Sequence, residues 1–277
     1  MIIDEALQQG AEALHKFSDT ARLDCECLLI HCLNVQRSHL YAWPQQVLSD
    51  QQCNVFQQLL EKRLSGEPIA YIRGWQEFWS LRFEVGTGVL IPRPETELLV
   101  ERVLSLDLGG AASVLDLGTG SGCIALSLAA ERPSWQITAV DTSLDALRYA
   151  QRNLDQHGAG NVEILQSSWF THLAERQFDL IVSNPPYVAS DDQHLAQGDV
   201  RSEPVSALES GLKGLDDIRH IVENARCYLK QGGTLMLEHG FDQAESVAEL
   251  LHIHAYSNIQ HHKDLQAHNR VTAAVAI

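Results

Sequence analysis

From about residue 110 the chain repeats one pattern: a short apolar run, a turn of small or polar residues, then a stretch with helical spacing. "SVLDLGTGSG" leads into "CIALSLAAERP" and "WQITAVD" into "SLDALRYAQRNLDQHG". "NVEILQ", "FDLIVSNPPY", "LDDIRHIVENARCYLKQGG" and "TLMLEHG" continue the series. Alternation of this kind predicts an α/β fold, a parallel sheet covered by helices on both faces. In such sheets a ligand binds beyond the carboxyl ends of the strands, near the point where the strand order reverses. The residues that carry chemistry are therefore expected where apolar runs stop.

The first such place is "LDLGTGSGCIAL" (115–126). Gly118, Gly120 and Gly122, with Thr119 and Ser121 between them, follow a strand and open a helix, so backbone can come close to a ligand. A glycine turn alone is a weak signal. Asp116, two residues before the first glycine, sharpens it, because a carboxylate there would repel a pyrophosphate and suit a cationic ligand. S-adenosylmethionine carries a sulfonium and an ammonium and no phosphate. Asp141 ends the next strand, 21 positions beyond Gly120, where an acid can accept hydrogen bonds from ribose hydroxyls.

The second place is "IVSNPPYVAS" (181–190). The strand stops at Ser183, because the prolines that follow Asn184 cannot supply a ladder donor. Asn184 is then expected to project over the same crevice, offering a donor and an acceptor. Pro185 and Pro186 stiffen the backbone so that the Pro185 carbonyl can serve as a second acceptor, and Tyr187 offers a flat face. Two acceptors and a ring suit a planar nitrogen with two hydrogens, either a base amine or a carboxamide.

Composition narrows the partners. With Lys and Arg at 20 against 36 Asp and Glu, the net charge is −16; a nucleic-acid binder meets phosphate with lysine and arginine. A duplex substrate is thus disfavoured. No apolar run approaches the roughly 18 residues of a membrane span. Asp4 and Glu5 stand where a signal peptide would carry lysines, so a cytoplasmic protein is expected. The six cysteines form no CxxC pair, and reduced, buried thiols are expected. The histidines are scattered, and His261 and His262 would point apart on a strand; no metal is assigned.

The N-terminal third has another texture. Leu7, Ala11, Leu14 and Phe17 keep helical spacing, as do Cys25, Leu28, Leu29 and Cys32. Ser49 and Gln52 have capping-box spacing, and the helix they open is expected to bury Cys53, Phe56, Leu59, Leu60 and Leu64 before stopping at Gly66 and Pro68. This predicts a helical bundle over 1–68, a hairpin connector over 69–97 punctuated by Gly74, Gly86 and Gly88, and a catalytic domain over 98–277.

"DLGTGSG" and "NPPY", joined by "LIPRPETE" (90–97), resemble the HemK/PrmC family of N5-glutamine methyltransferases; "FWSLRFEV", "QSSWF", "QGDVRSEP" and the helical N-terminus strengthen the likeness. "NPPY" alone is shared with enzymes that methylate adenine amines, so an adenine N6-methyltransferase acting on DNA or RNA stands as the alternative. The resemblance implies a doubly wound, Rossmann-like class I methyltransferase sheet. Its implied substrate is the glutamine of the Gly-Gly-Gln motif in class 1 peptide chain release factors. By similarity Gly118 to Gly122, Asp141, Trp169 and Asn184 would bind S-adenosylmethionine, with Ser168 at the adenine edge. Asn184, Pro185, Pro186 and Tyr187 would bind the glutamine, and Asn184, Pro185 and Tyr187 would serve the transfer itself. The N-terminal bundle would recognise the protein substrate. Three positions depart from the family pattern: Ser168 where an acid is usual, Ser202 where an aromatic is usual, and "DLQAHNRV" (264–271), which lacks a glycine before Arg270.

Overall fold

The structure, a computed structural model, describes all residues 1–277. The chain divides into two compact units, Met1–Trp75 with Ala196–Ser202, and Gln76–Leu195 with Glu203–Ile277.

The first unit holds five helices: α1 (Ile3–Leu14), α2 (Ala21–Leu33), α3 (Arg37–Ala42), α4 (Asp50–Leu64) and α5 (Ile69–Arg73). Their apolar stripes bury Ile3, Leu7, Leu14, Cys25, Leu28, Leu29, Phe56 and Leu60 in one core. The capping box opens α4: Ser49 Oγ accepts from the Gln52 N–H, and Gln52 Oε1 accepts from the Ser49 N–H at 2.9 Å. Phe17 does not join the stripe; α1 has already ended and the ring is 64% exposed. The segment Ala196–Ser202 packs with these helices although it is distant in sequence. Arg63, almost fully buried, donates to Asp24 at 2.8 Å and to Asp199, and Ser202 Oγ donates to the Gly66 carbonyl at 3.2 Å.

The expected connector over 69–97 needs correction. Pro68 starts α5 rather than ending a domain, and Ile72 and Ala70 are buried. The hairpin itself is shorter, β1 (Trp75–Phe78) and β2 (Leu81–Glu84), turned by Trp79 and Ser80 at φ of 51° and 57°. Phe78 and Phe83 are buried in the core of the second unit, so the hairpin is part of that unit and does not merely lead to it.

The second unit continues with α6 (Glu97–Leu104), β3 (Ser113–Leu117), α7 (Cys123–Glu131), β4 (Gln136–Asp141), α8 (Leu144–His157), β5 (Val162–Gln166) and β6 (Phe178–Ser183). After short 3-10 turns come α9 (Asp216–Ala225), β7 (Leu229–Glu238), α10 (Ala244–Ile253), β8 (Tyr256–Lys263) and β9 (Asn269–Ala276). Seven strands form one sheet in the order β5-β4-β3-β6-β7-β9-β8. The first five are parallel, and β9 runs antiparallel between β7 and β8. One face packs Leu99, Val103, Leu126 and Leu128, the other Phe170, Ile218, Ile221 and Val222. A sheet buried on both faces explains why β3 and β6 read as unbroken apolar runs. Strand order reverses between β3 and β6, which opens a crevice at their carboxyl ends, where Leu117 lies level with Ser183.

All six cysteines are free; Cys25 and Cys123 are buried, Cys27, Cys32 and Cys53 are partly buried, and Cys227 is exposed, so the expectation of buried thiols holds only in part. No helix is long and apolar enough to cross a membrane.

Candidate active site

A cavity lies at this carboxyl edge, lined by residues from every loop named above. Gly118, Thr119, Gly120 and Ser121 follow β3; Asp141, Thr142 and Ser143 follow β4; Ser168 and Trp169 follow β5; Asn184 and Pro186 follow β6. Gly122, Pro185 and Tyr187 do not line it. Gly122 instead caps α7 in the left-handed region, Pro185 is buried, and Tyr187 is held from behind.

The glycine turn is shaped by its own carboxylates. Gly118 and Gly120 sit at φ of 71° and 58°, where a side chain would be strained. The Gly120 N–H donates to Asp141 Oδ2 at 2.9 Å, and the Ser143 N–H donates to Oδ1 at 2.8 Å. Asp141 is thereby fixed at the cavity wall with acceptor capacity to spare. Burial pushes its carboxyl above the ordinary range, while these backbone donors hold it down. Asp116 behaves otherwise than expected. It is fully buried and absent from the cavity wall, and its Oδ2 accepts from Thr119 Oγ1 at 2.6 Å. Loss of water pushes its carboxyl up to about 7. Asp116 therefore shapes the turn and does not face a ligand directly.

Trp169 adopts φ of 49°, and a β-carbon added at Gly118 would stand 3.6 Å from its ring. The buried Ser167 hydroxyl donates to the Trp169 carbonyl at 2.8 Å and accepts from the His172 N–H, which locks this loop. Ser168 is exposed at the rim.

Asn184 Nδ2 donates to Thr96 Oγ1 at 3.0 Å, so the acceptor end of the amide is the one left for a ligand. The Tyr187 hydroxyl donates to Glu238 Oε1 at 3.2 Å, and its carbonyl accepts from Gln243 Nε2 at 2.9 Å. The ring is thus anchored at both ends.

Several lining residues were not expected individually. Arg93 and Thr96 come from "LIPRPETE", and Pro204, Ser206 and Asp217 from the segment after Ser202. The fully buried Glu203 ties the two stretches together: its Oε2 accepts from the Ile91 N–H at 2.9 Å and its Oε1 from Arg93. Ser202 itself lies in the helical unit and outside the cavity wall. Both stretches, "LIPRPETE" and "QGDVRSEP", carry the family resemblance, which is the one signal the sequence offers for this pair.

A doubly wound sheet of this order, with a glycine turn after its first strand and an acid after its second, is a class I methyltransferase, and residues 94–249 match the methyltransferase small domain. Its methyl donor is S-adenosylmethionine. Residues 5–74 match the PrmC N-terminal domain. A release factor glutamine methyltransferase of Shewanella oneidensis is 49% identical over 98% of this chain and 94% of its own. One from Aliivibrio fischeri is 46% identical over 98% and 96%. The chain belongs to the release factor glutamine methyltransferase family. At the level of fold, a methyltransferase from Pyrococcus furiosus matches with a TM-score of 0.57 at 19% identity, over 78% of this chain and 96% of that one.

Proposed function

We propose that this chain methylates the side-chain amide nitrogen of the glutamine in the Gly-Gly-Gln motif of class 1 release factors, in the cytoplasm. The observation that carries this reading is Asn184, seated on the cavity with its donor end committed to Thr96. A substrate carboxamide NH2 is a double donor, and it meets an acceptor there.

The cavity fits the methyl donor. Gly118 to Ser121 bring bare backbone to its wall, Asp141 offers a fixed carboxylate for hydroxyl groups, and Ser168 and Trp169 form an edge and a flat face. Bound there, S-adenosylmethionine supplies an activated methyl group on a sulfonium. The protein has to orient a poor nucleophile, since an amide lone pair is delocalised into its carbonyl. Asn184 Oδ1 accepts an amide hydrogen. It thereby helps to turn the nitrogen lone pair out of conjugation and stabilises the positive charge that grows on it. Positioning supplies much of the remainder. No general base is needed before transfer, because the product nitrogen readily gives its proton to water.

The test is an assay with labelled S-adenosylmethionine and three acceptors: whole release factor, a variant without the glutamine, and duplex DNA. Label on the first alone is expected; label on DNA would favour the adenine alternative. Asn184→Ala should lose turnover by about 100-fold or more with cofactor affinity within severalfold. Half of wild-type turnover in that variant would remove Asn184 from the chemistry.

A further inference from the structure

Behind Asn184 stands a carboxylate that the scheme above does not use. Glu238 ends β7, and continuing the pairing of Ser183 with Leu237 by one residue brings it level with Asn184. It is 1% exposed. Oε1 accepts from the Tyr187 hydroxyl at 3.2 Å, while the buried Oε2 closes no full hydrogen bond. Thr96 acts on the same carboxyl as a donor would. Thr96 is also the acceptor for Asn184 Nδ2 at 3.0 Å.

We propose that Glu238 is a positioning residue that sets the direction of this chain of hydrogen bonds and so decides which end of the Asn184 amide faces the substrate; the inference rests on the role of Asn184 argued above. An ionised carboxylate only accepts. It draws the Thr96 proton toward itself, which leaves the Thr96 oxygen to accept from Asn184 and turns Asn184 Oδ1 to the cavity. A protonated Glu238 reverses the order. Its proton goes to Thr96 Oγ1, the Thr96 proton swings toward Asn184, and the amide must turn its oxygen inward to accept. The cavity then presents an NH2 to the substrate NH2, two donors face to face.

Burial makes this switch accessible near neutral pH. Loss of water pushes the Glu238 carboxyl up to about 7, against the pull of Thr96, Tyr187 and Arg270. The charged and titratable groups facing it are Glu95 beside Thr96, Tyr187, Arg270 on β9 and the Cys123 thiol at the start of α7. Arg270 is itself paired with Asp264 at 3.1 Å. The Cys123 thiol is pushed up to about 12 by burial and stays neutral. The sign follows: the active form is the deprotonated one, so turnover rises with pH through this window.

The experiment measures turnover on whole release factor from pH 5.5 to 8.5, with cofactor affinity measured separately by calorimetry. Glu238→Gln carries a permanent donor at the Oε2 position. It should lose about 100-fold in kcat, hold cofactor affinity within about twofold, and lose the acid limb seen in the wild type. Thr96→Val removes the acceptor for Asn184 and should fall comparably, while Thr96→Ser, keeping the hydroxyl, should recover most of the rate. Wild-type turnover in Glu238→Gln, or reduced turnover with the acid limb intact, overturns the proposal. So does equal activity of Thr96→Val and Thr96→Ser, which remains readable if Glu238→Gln does not fold. A fully active Asn184→Ala would instead bring down the reading of the site itself.

Discussion

Ser168 shows how one atom can be weighed. It lies exposed at the rim, next to the Trp169 wall. A serine hydroxyl accepts a hydrogen bond from an amino group without charge, worth roughly 0.5–1.5 kcal/mol, where a carboxylate contributes roughly 1.5–3. Ser168→Asp is therefore expected to tighten cofactor binding about fivefold, by calorimetry, with little change in maximal rate. A tenfold weakening would place Ser168 away from the adenine. At this scale the sequence was readable wherever a residue type is unusual for its place. Glycines after a strand, an acid at a strand end and an amide before two prolines each break the local pattern. Thr96 breaks none, and it meets Asn184 across 88 positions of chain. Glu238 is also an acid at a strand end, but no glycine turn or proline pair beside it marks the place. Their importance arises from burial and partners, which only the folded chain supplies. Asp116 failed in the opposite way: its type was informative, but its full burial behind Thr119 could not be read from its neighbours.

Between β8 and β9 the turn "DLQAHNRV" shows what the missing glycine does to an element. Asp264 Oδ1 accepts from the Gln266 and His268 N–H groups, each at 2.9 Å, and its Oδ2 from Arg270 Nε at 3.1 Å. The turn is well satisfied, yet Ala267 is forced to φ of 65°. A left-handed alanine costs about 1–2 kcal/mol, partly offset by the greater chain entropy that a glycine would lose. Ala267→Gly should raise stability by about 0.5–1 kcal/mol, read as a higher urea midpoint; a lower midpoint would mean the turn is not under strain. Elements of the sheet were legible because apolar runs of strand length recur with helical stretches between them. The helix α5 was not. Its five residues, between Pro68 and Gly74, give too little periodicity to tell from an extended run, and burial of Ile72 decided the matter.

At the scale of the molecule the activity should divide between the two units. We hold the helical unit to be the part that recognises the protein substrate, since the lining of the cavity comes entirely from the other unit. A chain beginning at Gln76 should bind S-adenosylmethionine yet label whole release factor at least tenfold more slowly, as the lost interface raises KM. The cut belongs at Gln76, because a later start would remove Phe78 and Phe83 from the sheet core. Full activity of the shortened chain on whole release factor would move recognition elsewhere. The sequence showed two textures but not that the first unit is discontinuous, since "AQGDVRS" carries no helical or apolar signature.

The helical unit takes Ala196–Ser202 as well as the first 75 residues, and this imposes an order in time on a chain made from its N-terminus. Translation delivers the five helices first and their last piece roughly 120 residues later. At about 5–20 residues per second, that is a delay of roughly 6–24 s. During it Arg63 has Asp24 beside it but not Asp199, and the Gly66 carbonyl waits for Ser202. The unit begun first is thus completed only after the sheet unit is more than half made, with β7, β8 and β9 still to follow it.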